Sequence, residues 1–243
     1  MNSKQQIVVE LRKELLLLQG FKAASPDAAK VDLGMMNGCF PNSTFPTGNV
    51  HEIISTIDSE KSAASAFVCA VAGMLMKRSG PGIWISTKNE IYPPALNQFN
   101  VPAERIVFVK AKRELDVCWA LEEALKTDGL AFVAGQVQDL SFTTSRRLQL
   151  AVEKSQVTGF ILRHSPNSVN PTACVSRMKI QPLRSELADG LPGIGDPRWR
   201  VIVEKVRNGV PGVFDLVWVK DHFITRIPQT GEVIIDIDRR KIS

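Results

Sequence analysis

The sequence predicts an α/β protein with a mostly parallel central sheet flanked by helices, an antiparallel extension toward the C-terminus and an amphipathic helix at the N-terminus. Three observations predict it. Short apolar runs (50–54, 83–85, 106–109, 130–134, 160–162) alternate with helical patterns, which is how a parallel sheet with crossover helices reads. The run 130–134 is unbroken and apolar, as in strands buried on both faces. After Arg163 the helical patterns cease and strands recur at 173–180, 199–205 and 213–219, with Gly209 to Gly212 as a hairpin turn.

Residues 3–19 place Ile7, Leu11, Leu15 and Leu18 on one helical stripe with Lys4, Arg12, Lys13 and Glu14 opposite, and Gly20 stops the helix. The following Ala, Ser, Pro and Asp residues to Asp32 read as a linker, which divides the chain into an N-terminal helix with linker (1–32) and one larger domain (33–243). A stripe of this kind must be covered, so Ile7, Leu11, Leu15 and Leu18 are candidate partner contacts; folding back onto the chain's own core is the alternative.

With 243 residues, 44% hydrophobic and 23% charged, the chain has the composition of a globular protein with one sizeable core. The longest apolar run, 63–76, is too short to cross a bilayer, and the N-terminus lacks the pattern of a secretory signal; a cytoplasmic protein without membrane contact is expected. Cys39, Cys69, Cys118 and Cys174 are scattered among apolar neighbours and three histidines show no ligand spacing, so neither a metal nor a disulfide is expected. A net charge of +5 permits a polyanionic partner without establishing one.

The stretch 48–73 is a short apolar strand, a polar turn and a helix from Ser62 to about Lys77, where a phosphate-binding loop would lie. Such a loop needs two glycines, then lysine and a hydroxyl residue, so that backbone N–H groups can close on phosphate oxygens. Lys61 and Ser62 fit, but Ser55 and Glu60 stand at the glycine positions, and Asp58 and Glu60 bring two carboxylates to where phosphates would sit. One such repulsion at 4 Å costs on the order of 4 kcal/mol at an effective dielectric of about 20, against roughly 1 kcal/mol returned by a helix N-terminus. No cofactor is therefore expected. The alternative for this stretch is an ordinary helix start, capped by Asp58 or Ser59, with Lys61 solvated.

The ordered set FPTGNVHEI (45–53), GIWISTKNEIYPPAL (82–96), RELDVCWALEEAL (113–125), SRRLQLA (145–151), TGFILR (158–163) and GDPRWRVIVEKVRNGVPG (195–212) resembles the RecA fold and, more narrowly, the ImuA family of RecA-like partners in bacterial mutasomes. The resemblance implies a RecA-like core, a role in error-prone translesion synthesis during the SOS response, and protein partners, namely an ImuB-type Y-family-like polymerase and RecA. It also shows what has been lost: the metal-site aspartate expected after the strand LAFVA aligns with Gly135, and the water-activating carboxylate with Lys88, Glu90 being displaced by two residues. Phosphoryl transfer needs phosphate cradling, metal binding and water positioning together, so a non-catalytic accessory protein is expected, with an active ATP-binding protein and a nucleic-acid-binding module as the alternatives. For the last, Lys110, Lys112 and Arg113 in one loop, Arg146 and Arg147 on a helix, and Arg198 and Arg200 on one strand face are the candidate contacts, weak and independent of base sequence; the loop 164–172 carries no Lys or Arg. The sequence leaves self-association open.

Overall fold

The computed structural model describes residues 31–77, 80–88, 90–186 and 195–226. The helix expected over 3–19, with Ile7, Leu11, Leu15 and Leu18, lies outside them. In chain order come β1 (Val50–Ser55), α1 (Asp58–Met76), β2 (Gly82–Ser86), a 3₁₀ segment (Pro93–Phe99), β3 (Ile106–Lys110), α2 (Glu114–Lys126), β4 (Phe132–Val137), α3 (Phe142–Ser155), β5 (Thr158–His164), β6 (Ser176–Glu186), β7 (Asp196–Val206), β8 (Gly212–Val219) and β9 (His222–Arg226).

The described strands form one sheet in the order β3-β2-β4-β5-β1-β6-β7-β8-β9. β1 to β6 run parallel, and β7, β8 and β9 add antiparallel. The antiparallel extension thus begins one strand later than expected, because β6 pairs with β1 through His51↔Ser176 to Ile54↔Lys179 before β7 turns back along it. β9 has no counterpart in the sequence reading, since HFITR follows β8 after only a two-residue turn and lacks an apolar run of its own.

Each face carries its own core. α1 is apolar nearly all round, and its small residues Ala63, Ala64, Ala70 and Ala72 let it lie close to β1, β5 and β6. Beyond it Phe67, Phe99, Trp199, Trp218 and Phe223 pack ring against ring. On the other face α2 and α3 bury Val117, Leu121, Leu125, Leu148 and Val152 against Val50, Val133 and Ile161. α3 starts where the Ser141 hydroxyl accepts the Thr144 N–H at 3.0 Å, and ends at Gln156 in the left-handed region.

Two buried polar groups are built into β1. The His51 ring stacks between Phe45 (4.3 Å) and Phe160 (5.6 Å). Its Nε2 faces the Pro46 carbonyl at 3.0 Å, which can only accept, so Nε2 carries the proton and Nδ1 accepts from the Ser176 hydroxyl at 2.8 Å. Glu52, fully buried, accepts from Arg163 at 2.7 Å, Arg177 at 2.9 Å and Thr172 at 2.8 Å.

Candidate functional site

In an open sheet of this kind ligands bind beyond the carboxyl ends of the strands. There, β1, β2, β4 and β5 end around a cavity of about 210 Å³ lined by Ser55, Lys61, Lys88, Glu90, Gln136 and His164, among others. A second cavity of about 570 Å³ runs between α1 and the 91–99 segment over Ala66, Cys69, Leu96 and Phe99. Lys61 and Glu90 line both, joined by an ion pair of 2.6 Å.

The β1–α1 connection is where the structure departs most from the sequence reading. The helix begins at Asp58, not Ser62, and the Lys61 N–H already bonds the Ile57 carbonyl at 3.0 Å. Five of the eight phosphate-loop positions are helical, so only Thr56 and Ile57 join strand to helix. Without glycine at 55 or 60 these residues prefer the right-handed helix to a loop that needs φ > 0.

Neither Asp58 nor Ser59 caps the helix: the N-cap is Ile57, which makes no side-chain cap. Glu60, one turn in, folds back instead. Its Oε2 accepts the Thr56 N–H and the Thr56 hydroxyl, both at 2.8 Å, and its Oε1 accepts from the Gln181 amide at 3.1 Å. This is the third-position glutamate of a capping box without its serine. Burial pushes the Glu60 carboxyl upward, but the Thr56 N–H, the Gln181 amide, the Thr56 hydroxyl and the Ile57 N–H together outweigh it and hold the group below the ordinary carboxylate range. The repulsive charge expected from Glu60 is thus turned inward onto the donors an anion would use, while Asp58 points out, its side chain 92% exposed, with Oδ1 3.4 Å from His164 Nε2.

The other chemical positions also shift. Gly135 does not stand where a metal-binding carboxylate would. It faces α2, and a Cβ there would lie 2.5 Å from the end of the Leu121 side chain, which would have to shift to admit one. The next residue, Gln136, pairs with Leu162 on β5 and lines the cavity, with its amide nitrogen buried and unpartnered. Lys88 lines the same cavity, and its carbonyl accepts the Ser86 hydroxyl at 2.6 Å. His164 sits against Ser55 at 3.2 Å; burial first and Lys61 second hold its pKa below the ordinary histidine value. Among the described residues no group of three or more His, Cys, Asp or Glu side chains could hold a metal.

The basic candidates do not converge. Lys110 is the last residue of β3 and not in the expected loop, while Lys112 and Arg113 follow it before α2, where the Ala111 N–H bonds the Ser86 carbonyl at 2.9 Å. Arg113 pairs with Asp116 at 2.8 Å. Arg146 and Arg147 lie on α3, Arg147 paired with Glu122. Arg200 grips the fully buried Asp215 with two hydrogen bonds of 2.8 and 2.9 Å, and Arg198 donates to the Arg184 carbonyl at 3.3 Å, so both serve the β7 neighbourhood.

The loop 164–172 is stitched down by cations that the sequence reading did not single out. Arg163 donates to the Ser168 carbonyl at 2.8 Å, Arg177 to that of Asn170 at 2.6 Å and Lys205 to that of Thr172 at 2.9 Å, while Asp139 accepts the Asn167 N–H at 3.0 Å. A charge inside each apolar run, Glu52 in VHEII and Arg163 after FIL, was the available signal.

The fold and site together define an α/β protein with a mostly parallel sheet and a polar cavity at its carboxyl edge, beside a strand–helix turn whose Thr56 N–H and hydroxyl are engaged by Glu60. No protein-family model matches the chain. It is 33% identical over 189 residues to Protein ImuA of Caulobacter vibrioides, in strains NA1000 / CB15N and ATCC 19089 / CIP 103742 / CB 15, covering 73% of this chain and 78% of the relative. The chain belongs to the ImuA family. It is also 28% identical over 89 residues to the cell division inhibitor SulA of Serratia proteamaculans, covering 37% of this chain and 52% of that protein.

Proposed function

We propose that the chain is a non-catalytic, RecA-like accessory protein of a bacterial mutasome, serving error-prone translesion synthesis in the SOS response through protein contacts, with an ImuB-type polymerase and RecA as its partners. The likeness to Protein ImuA supports the setting, and the strand–helix turn at the carboxyl edge of a mostly parallel sheet supports the RecA-like reading. The observation that carries the loss of catalysis is the Glu60 carboxylate on the Thr56 N–H and hydroxyl, since a bound phosphate would have to displace a buried charge from its own hydrogen bonds. Calorimetry with Mg-ATP tests it: no heat of binding is expected, and micromolar binding lost in Lys61→Ala would overturn it.

A second reading, direct contact with single-stranded nucleic acid, is favoured by Lys88, Lys110 and Lys112 all falling at or just beyond the paired ends of β2 and β3, where Ser86 pairs with Lys110. Three phosphate contacts give a slope of log K against log salt of about −2 on single strands. Anisotropy titrations should show weak binding of that slope; tight binding independent of salt would contradict it.

A further inference from the structure

β3 is one edge of the sheet, and among the described residues only β2 pairs with it. Val107 and Phe108 point to opposite faces, yet they are 53% and 42% exposed. Edge strands are ordinarily guarded by proline, bulges, charge or a covering element. β3 has no proline, and its first charged residue is the last, Lys110. On α2, over the face to which Val109 packs, Leu115 and Trp119 are 75% and 66% exposed.

The sequence of this edge is complementary to itself. We propose that two copies of the chain associate about a two-fold axis by antiparallel pairing of β3 with β3. Centred on Phe108, that pairing sets Phe108 against Phe108, Val107 against Val109, and the stem of Lys110 along Ile106. Just beyond each end of the pairing, the 3₁₀ turn that carries Glu104 in one copy lies beside the bend that carries Lys112 in the other; both residues are exposed. Glu104 is thus set near Lys112 twice, while Arg105 beside it donates to the Met76 and Gly80 carbonyls. Parallel pairing would instead stack like charges. The apolar pairs are those that stabilise neighbouring strands, and an isologous contact of this kind closes after two subunits.

Sedimentation equilibrium of the full chain from about 1 to about 100 μM tests the proposal, with a dimer expected in that range. Phe108→Glu should give a monomer with an unchanged melting temperature, and Val107→Lys is the second variant should the first fold poorly. Glu104→Lys and Lys112→Glu should each weaken the dimer about tenfold or more, and the double variant should restore it. A chain monomeric throughout, a dimer unaffected by both edge variants, or a double variant no tighter than the single ones would each overturn it. No residue of the pairing touches Glu60, so this outcome is independent of the nucleotide measurement.

Discussion

The Lys61 ammonium lies 2.6 Å from Glu90 Oε1, where the sheet's carboxyl edge meets α1, and the pair lines both cavities. The lysine that resembles a phosphate ligand is thereby engaged by a carboxylate from the segment after β2. Both side chains are about a quarter exposed, 26% and 28%, so the pair contributes about 1 kcal/mol or less. Glu90→Gln should lower the melting temperature by no more than about 2–4 °C and should not confer ATP binding, because Glu60 still occupies the Thr56 donors. A micromolar affinity for Mg-ATP in Glu90→Gln alone would show that Lys61 neutralisation, not Glu60, is the block.

Glu60→Ala leaves the Thr56 N–H and the Gln181 amide without their shared acceptor, and should cost about 1–3 kcal/mol in urea denaturation at neutral pH. The folded-state pKa of Glu60 is lowered, so its contribution is complete above the unfolded glutamate value and is lost as pH falls through the folded value. The gap between wild type and Glu60→Gln should therefore shrink on acidification below the ordinary carboxylate range. A gap constant down to low pH would mean that the charge plays no part.

His51 gives the chain an acid-sensitive core. Burial first, opposed by the Pro46 carbonyl, lowers its pKa to about 3. Stability from the neutral ring is complete above the unfolded value near 6.5 and declines as pH falls from about 6.5 toward about 3, by about 1.4 kcal/mol per pH unit at most. His51→Phe should remove that part of the slope, at the cost of leaving the Ser176 hydroxyl and the Pro46 carbonyl unpaired. Denaturation midpoints measured at half-unit steps across the window decide it.

Glu52 is the hub of a buried cluster in which Arg163 is 1% exposed and Glu52 not at all. Removing one member leaves the others charged and buried, which typically costs about 3–5 kcal/mol. Glu52→Ala should lose stability of that order and, because Arg163 and Arg177 also hold the Ser168 and Asn170 carbonyls, should raise proteolytic cleavage within 164–172 more than elsewhere. Uniform cleavage across the chain would argue against the tether.

For the proposed partner contact, Leu11→Asp with Leu15→Asp should keep the melting temperature and lose co-purification with an ImuB-type partner. A variant that melts much earlier and still binds would favour a helix folded onto its own core.

The sheet was legible because apolar runs and helical periods alternate at short intervals, and periodicity is local. The site was less so. The run 130–134 hid the register, since the ladder of β4 begins at Phe132 and the strand continues to Val137. Alternation then decides that Gln136 and not Gly135 meets the cavity, and a slip of one residue reverses the face. The capping by Glu60 depends on Gln181, far away in sequence on β6, and on a helix start that was placed at Ser62 only because a phosphate-loop pattern was laid over it. Paired and unpaired arginines look alike in sequence, as Arg200 on Asp215 shows.

A turn ordered by its own carboxylate has its donors satisfied before any ligand arrives, so an anion taking those donors gains only the difference between its contacts and those of Glu60. Proteins that bind nucleotide at such a turn gain RT ln(1 + [L]/Kd) of stability, so their folded population follows the cell's ATP supply. Here Glu60 is present at a fixed, intramolecular concentration. On the proposed function, the stability of this turn does not follow the ATP supply.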